Sequence, residues 1–137
     1  MQFVHVDPAR IEREWPAIAE ILAPAVREDP RQTMEGLHKR LAEGADQLIE
    51  VSGPGRCLMV IRVSDELVCW TKYLAGHIEG GPKARLAIMR DVVRHIETVA
   101  RDAGCTEHRL CGRDWSTILP DYEPFDGLRN GLKKELR

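Results

Sequence analysis

The sequence has little that would tie the chain to a membrane, an oxidising compartment or nucleic acid. Its 137 residues contain no run of about 18 apolar positions, the length a bilayer-spanning helix needs. The start, MQFVHVDPARIERE, lacks the basic-then-apolar order of a secretory signal. The chain therefore reads as soluble and intracellular, with no membrane partner. A net charge of -2 and a pI near 6.2 exclude nucleic-acid binding driven by bulk charge and leave only a local basic patch open. Aromatic residues make up 5%, and Trp15, Trp70 and Trp115 fall on a predicted helix, strand and helix, so they read as core anchors rather than a base-stacking platform. Cysteines number four. Three of Cys57, Cys69, Cys105 and Cys111 lie in apolar or strand-like stretches, where a thiol packs as a small hydrophobe, and reduced thiols fit an intracellular chain. Cys105, His108 and Cys111 lack the close pairing of a structural zinc site, so no metal is expected. There is no internal repeat and no low-complexity segment.

What is present suits a globular protein. A chain that is 43% hydrophobic and 31% charged is expected to fold as one domain over residues 1–137, with a single core burying roughly two thirds of its unfolded surface. Residues 2–6, QFVHV, alternate as a strand, and Asp7 followed by Pro8 signals a helix start, a carboxylate cap with proline at the first helical position. Ile11, Trp15, Ile18, Leu22 and Ala25 then recur at spacings of a helical stripe, which Pro16 should kink or restart. Thr33 caps a short second helix with Leu37 and Leu41 inward and Gly44 at its end. QLIEVS, CLMVIRV and ELVCWTKYLA read as three consecutive strands, separated by the turn Gly53-Pro54-Gly55 and by Ser64 and Asp65.

The clearest helix follows. Leu86, Met89, Val93, Ile96, Ala100 and Ala103 form its apolar stripe, with Arg85, Arg90, Asp91, Arg94 and Glu97 mostly outward and Gly104 as its stop. EHRLCG reads as another strand, DWSTILP as a short helix capped by Asp114 and ended by Pro120, and GLKKEL as a final strand. The order of strand, two helices, three strands, long helix, strand, short helix and strand predicts an α+β fold, a mostly antiparallel mixed sheet flanked by helices.

That order resembles the GNAT acyltransferase superfamily over nearly the whole chain. The stretch HRLCGRDWSTILPDYEPFDGLRNGLKKEL also resembles the ending of small GNAT-like proteins encoded by bacteriophages and prophages. In the superfamily the loop between the fourth strand and the long helix binds the pyrophosphate of acetyl-CoA through backbone N–H groups, on a pattern of Gln or Arg, two residues, Gly, one residue, then Gly or Ala. A helix N-terminus offers unpaired donors and partial positive charge, so the chemistry is sound. Here HIEGGP aligns with it, with His77 at the Gln/Arg place, Gly80 in register and Pro82 where a free N–H is wanted. Glu79 opposes an anion, and Lys83 and Arg85 offset it. The resemblance thus makes Gly80, Gly81 and Lys83 the candidate cofactor contacts. The same residues also suit a plain strand-to-helix turn, with Gly81 at the cap and Pro82 at the first position.

ILPDYE places Tyr122 where many GNAT enzymes carry the tyrosine that protonates the departing thiolate. A phenol stays protonated at neutral pH and donates well. The alternative is a ring packed on the core with a solvated hydroxyl. By chemistry alone Glu50, Glu66, His77 and His108 are candidates for a general base. The RNGLKKELR end gathers Arg129, Lys133, Lys134 and Arg137 against Glu135, a basic terminus that docks a partner or is simply solvated.

Two readings of function follow. In the first the chain is a phage-type GNAT-fold protein with a degenerate acetyl-CoA loop, needing no cofactor and serving as a structural, assembly or binding component of a virion. It would meet other phage or host proteins, in the host cytoplasm or in the particle. A partner segment could fill the gap that GNAT sheets open between the fourth and fifth strands, or add to an exposed strand edge. In the second it is an acetyl-CoA-dependent N-acetyltransferase.

Overall fold

The computed structural model describes residues 1–53 and 55–137; Pro54, in the expected turn between the second and third strands, lies outside them. The elements run β1 Gln2–Val6, α1 Pro8–Arg27, α2 Met34–Ala42, β2 Gln47–Gly53, β3 Gly55–Val63, β4 Val68–Ile78, α3 Pro82–Asp102, β5 Glu107–Leu110, β6 Glu123–Pro124 and β7 Leu132–Glu135. The strands form one sheet in the order β1-β2-β3-β4-β5-β7-β6. The pair β4 and β5 is parallel, as a helical crossover through α3 requires. The pairs β1 with β2, β2 with β3, β5 with β7 and β6 with β7 are antiparallel. This is the expected α+β class. Among the described residues no helix is long and apolar enough to cross a membrane.

The chain divides into two compact units. One is Met1–Arg62 with Tyr73–Ile78, and the other is Val63–Lys72 with Glu79–Arg137. In the first, Asp7 caps α1 by accepting from the Arg10 N–H at 3.0 Å, and Thr33 caps α2 by accepting from the Gly36 N–H at 3.0 Å. Ile11, Ile18, Leu22 and Val26 of α1 and Leu37 and Leu41 of α2 pack with Leu48, Leu58, Val60 and Tyr73 into one cluster. Each such aliphatic side chain removed from water stabilises the unit by about 1.5–3 kcal/mol. Pro16 does not restart α1, which continues through both Pro16 and Pro24. Both prolines face solvent, where the carbonyl left without an amide partner can take water.

In the second unit α3 buries Val92, Val93, Ile96, Glu97 and Ala100. Its first two turns are different: Leu86 is 41% exposed, Met89 is half-buried and residues 79–87 all face solvent. The apolar stripe read from the sequence is thus covered only from Met89 onward, and Ala103 is exposed as well. The short helix expected at residues 114–120 does not form. Those residues make turns instead: the Ile118 and Leu119 N–H groups both donate to the Trp115 carbonyl at 3.1 and 3.0 Å. Asp114 accepts from the Ser116 N–H at 3.0 Å and from its hydroxyl at 2.6 Å, a turn contact rather than a helix cap. A segment this short, closed by Pro120, cannot recover the cost of helix nucleation.

Candidate functional site

The loop between β4 and α3 lies on the surface. Gly80 has φ +107, a region closed to most side chains, and a Cβ there would stand 3.2 Å from Ala84 Cβ. Gly81 is the N-cap of α3 with extended dihedrals and no side-chain cap, and Pro82 follows at the first helical position. The glycine-proline pair therefore makes the turn its sequence suits. It also leaves first-turn N–H groups of α3 uncapped by any side chain, with Lys83 and Arg85 exposed beside them and Glu79 exposed before them. Those residues fit an anion in part: the uncapped donors and two cations favour it, whereas Pro82 contributes no N–H and Glu79 opposes the charge.

Tyr122 is placed quite differently. It is 7% exposed and donates its hydroxyl proton to Glu97 Oε2 at 2.6 Å. Glu97 itself is 2% exposed, on the buried stripe of α3 between Ile96 and Ala100. Its Oε2 also accepts from Arg94 at 2.7 Å and its Oε1 from Lys134 at 3.1 Å, and Arg94 and Lys134 both reach Asp121, at 2.9 and 2.8 Å. Burial alone would raise the Glu97 pKa, but the hydrogen bonds from Tyr122 and Lys134 and the nearby cations outweigh it and hold the carboxyl below its ordinary value. Asp121 is likewise depressed, chiefly by Arg94. Burial and the bond to Glu97 push the Tyr122 phenol well up.

The chain of contacts continues inward. His108 is 0% exposed, with Nδ1 2.6 Å from the Tyr122 oxygen and Nε2 2.8 Å from Thr71 Oγ1. Counting protons fixes its tautomer. Tyr122 has one hydroxyl proton and gives it to an ionised carboxylate, so its oxygen must accept from His108 Nδ1–H. Burial pulls the His108 pKa down to about 4, leaving the ring neutral, so Nε2 is bare and accepts the Thr71 hydroxyl proton. The result is one directed chain, Thr71 to His108 to Tyr122 to Glu97, closed by Arg94, Lys134 and Asp121.

The structure brings Tyr122 and His108 together and leaves the other candidates apart. Glu50 is paired with Arg10 and Arg56 at 3.1 and 2.7 Å. Burial tends to raise its pKa, but those two partners prevail and lower it. His77 and Glu66 are exposed. Both His108 nitrogens are committed to Tyr122 and Thr71, which leaves neither to a metal alongside Cys105 and Cys111. Lys134 lies in β7, the strand expected from GLKKEL, and its ammonium is neither solvated nor free for docking but closes the network. Glu97, Thr71, Arg94 and Asp121 were not anticipated. Glu97 had one available signal, its position four residues after Val93 and three before Ala100, which puts it on the apolar stripe.

A concavity lies elsewhere in the same unit, a pocket of about 400 Å³ lined by residues that include Glu66, Glu107, Arg109, Glu135 and Arg137. Neither Tyr122 nor the glycine loop borders it. Arg109 is already occupied there, ion-paired with Glu107 and lying over the Trp70 and Phe125 rings at 5.4 and 5.2 Å.

No model of a known protein family and no curated protein sequence matches the chain. Among solved structures, the crystal structure of an aminoglycoside 6'-acetyltransferase type Ii is similar with a TM-score of 0.68, covering 100% of this chain and 98% of that one at 10% identity. At that identity the likeness speaks to fold and not to chemistry. Together with the strand order and the parallel β4/β5 pair, it shows that this chain has the GNAT-like α+β fold.

Proposed function

We propose that the chain is a GNAT-fold binding or assembly component in which acetyl transfer has been lost. The observation that carries this reading is the commitment of Tyr122: its proton is given to a buried carboxylate, so the phenol does not stand ready to protonate a leaving thiolate. The loop supports it, because Pro82 removes a donor and Glu79 opposes an anion. In its finer form the chain is a virion component working beside other phage or host proteins, which rests on the likeness of residues 108–136 to phage-encoded chains. Mass spectrometry of purified particles tests that form, and a chain absent from them argues against it.

One observation favours the second reading, an acetyl-CoA-dependent N-acetyltransferase. The exposed N-terminus of α3 has no side-chain cap, so Gly80, Gly81 and Lys83 are open to a pyrophosphate. Tyr122 would then have to leave Glu97 to act as the acid. Isothermal titration with acetyl-CoA and with CoA, beside a Gly80→Glu variant, separates the two. No binding at millimolar cofactor is the expected outcome. Micromolar binding that the variant abolishes overturns the proposal and makes the transferase the leading reading.

A further inference from the structure

We propose that residues 111–122 are an acid-releasable strap, latched over the second unit by His108 and its neighbours, which opens locally in mild acid while the strands stay folded. This inference does not depend on the functional reading above.

The strap is fastened by side chains. Its own backbone bonds are local turns, Ile118 and Leu119 to Trp115 and Tyr122 to Leu119, apart from Gly112 N–H donating to Arg129 O at 2.9 Å. What ties it down is Asn130 donating to the Gly112 carbonyl at 2.9 Å, Arg90 donating to the Ile118 carbonyl at 3.0 Å, Arg94 and Lys134 on Asp121, and Tyr122 on Glu97 and His108. Its own Trp115, Ile118 and Leu119 turn inward and are buried, at 3%, 4% and 1% exposure. A segment without ladder hydrogen bonds is the kind that opens as its own cooperative unit. One closed-state defect favours opening: the buried Trp115 Nε1 has no hydrogen-bond partner among the described residues, and water would supply one.

The pH dependence comes from what faces His108. Glu97 and Arg94 stand on α3, Thr71 and the buried Cys69 on β4, Lys134 on β7, and Asp121 and Tyr122 on the strap. Cys69 is pushed up to about 12 by burial and stays neutral. A proton on Nε2 would turn a bare acceptor into a donor against a hydroxyl that is already donating. Thr71 would have to rotate its own proton to a buried place, and burial, helped by the repulsion from Lys134, outweighs the attraction of Glu97 for the new charge. Opening the strap lifts the Tyr122 ring from the edge of His108, where the two rings meet at 87°, and lets water reach the imidazole. With the closed-state His108 pKa near 4 and an open-state value of 6.5, the open fraction rises by about tenfold between pH 7.5 and 5.5.

Hydrogen exchange of the wild-type protein, corrected for intrinsic rates and followed with increasing urea, tests this. The Ile118, Leu119 and Tyr122 amides should show lower protection than the β5 and β7 amides and almost no urea dependence. Their protection should fall about tenfold on going from pH 7.5 to 5.5. Protection and urea dependence equal to those of the strands, or local exchange that ignores pH, overturns the proposal. In a His108→Gln variant that folds, the pH step should disappear while the local opening remains. If that variant does not fold, the wild-type comparison decides alone.

Discussion

A carboxylate on the inner stripe of a helix is tolerable only when every oxygen is answered, and at Glu97 three donors from three parts of the chain do so: Arg94 from its own helix, Tyr122 from the strap and Lys134 from β7. Tyr122 is the member whose loss is easiest to read. Tyr122→Phe keeps the ring and deletes both the donor to Glu97 and the acceptor for His108 Nδ1–H. The expected result is a loss of about 1–3 kcal/mol in urea unfolding with an unchanged far-ultraviolet spectrum. A loss below about 0.5 kcal/mol would place the hydroxyl outside the stabilising network. The sequence marked Tyr122 for its place after ILP, but the partner that sets its chemistry lies 25 residues earlier on a face read as solvated.

Among the elements, strands and helices were legible to different depths. Caps wrote themselves plainly: Asp7-Pro8 and Thr33 start α1 and α2, and Gly81-Pro82 starts α3. The two-residue β6 had no pattern of its own to display, and DWSTILP carried helix signals over too few residues to form one. Strand β4 contains a requirement hidden in its sequence. Gly76 sits at φ +123 with a would-be Cβ inside contact distance of the Arg56 carbonyl oxygen and 2.9 Å from Cys57 Cα. Gly76→Ala should therefore lower stability by about 1–3 kcal/mol, read as a lower urea midpoint, because the clash is with backbone of β3 and cannot be relieved by a rotamer change. A variant as stable as the parent would show that β4 shifts freely at this point.

For the whole molecule, acid stability follows from His108 first and the carboxylates second. The His108 pKa is depressed in the folded state, so between about pH 6.5 and 4 the unfolded chain binds more protons than the folded one. Stability is therefore full above that window and falls as pH drops through it, by at most about 3 kcal/mol. Glu97 and Asp121 are also depressed; their contribution is present above their unfolded values and is lost only at still lower pH. Urea unfolding at pH 7.5, 5.5 and 4.5 should show the decline already under way at 5.5, before the carboxylates titrate. A flat profile down to pH 4.5 would mean that His108 is not held neutral by burial.

The sequence by itself determined the element order as far as β5, the helix starts, the α+β class and the GNAT likeness, because apolar periodicity and capping residues act over a few neighbouring positions. It also placed Gly80, Gly81 and Lys83 at the mouth of a helix, where the structure puts them. Only the tertiary structure decided which polar groups are buried together. Thr71, Glu97, His108, Tyr122 and Lys134 come from five separate segments, and no local pattern records that they meet. Their pairing depends on the parallel register of β4 with β5 and on the strap lying along α3. The proton order within that cluster, and with it the availability of Tyr122, is therefore a property of the fold rather than of any motif.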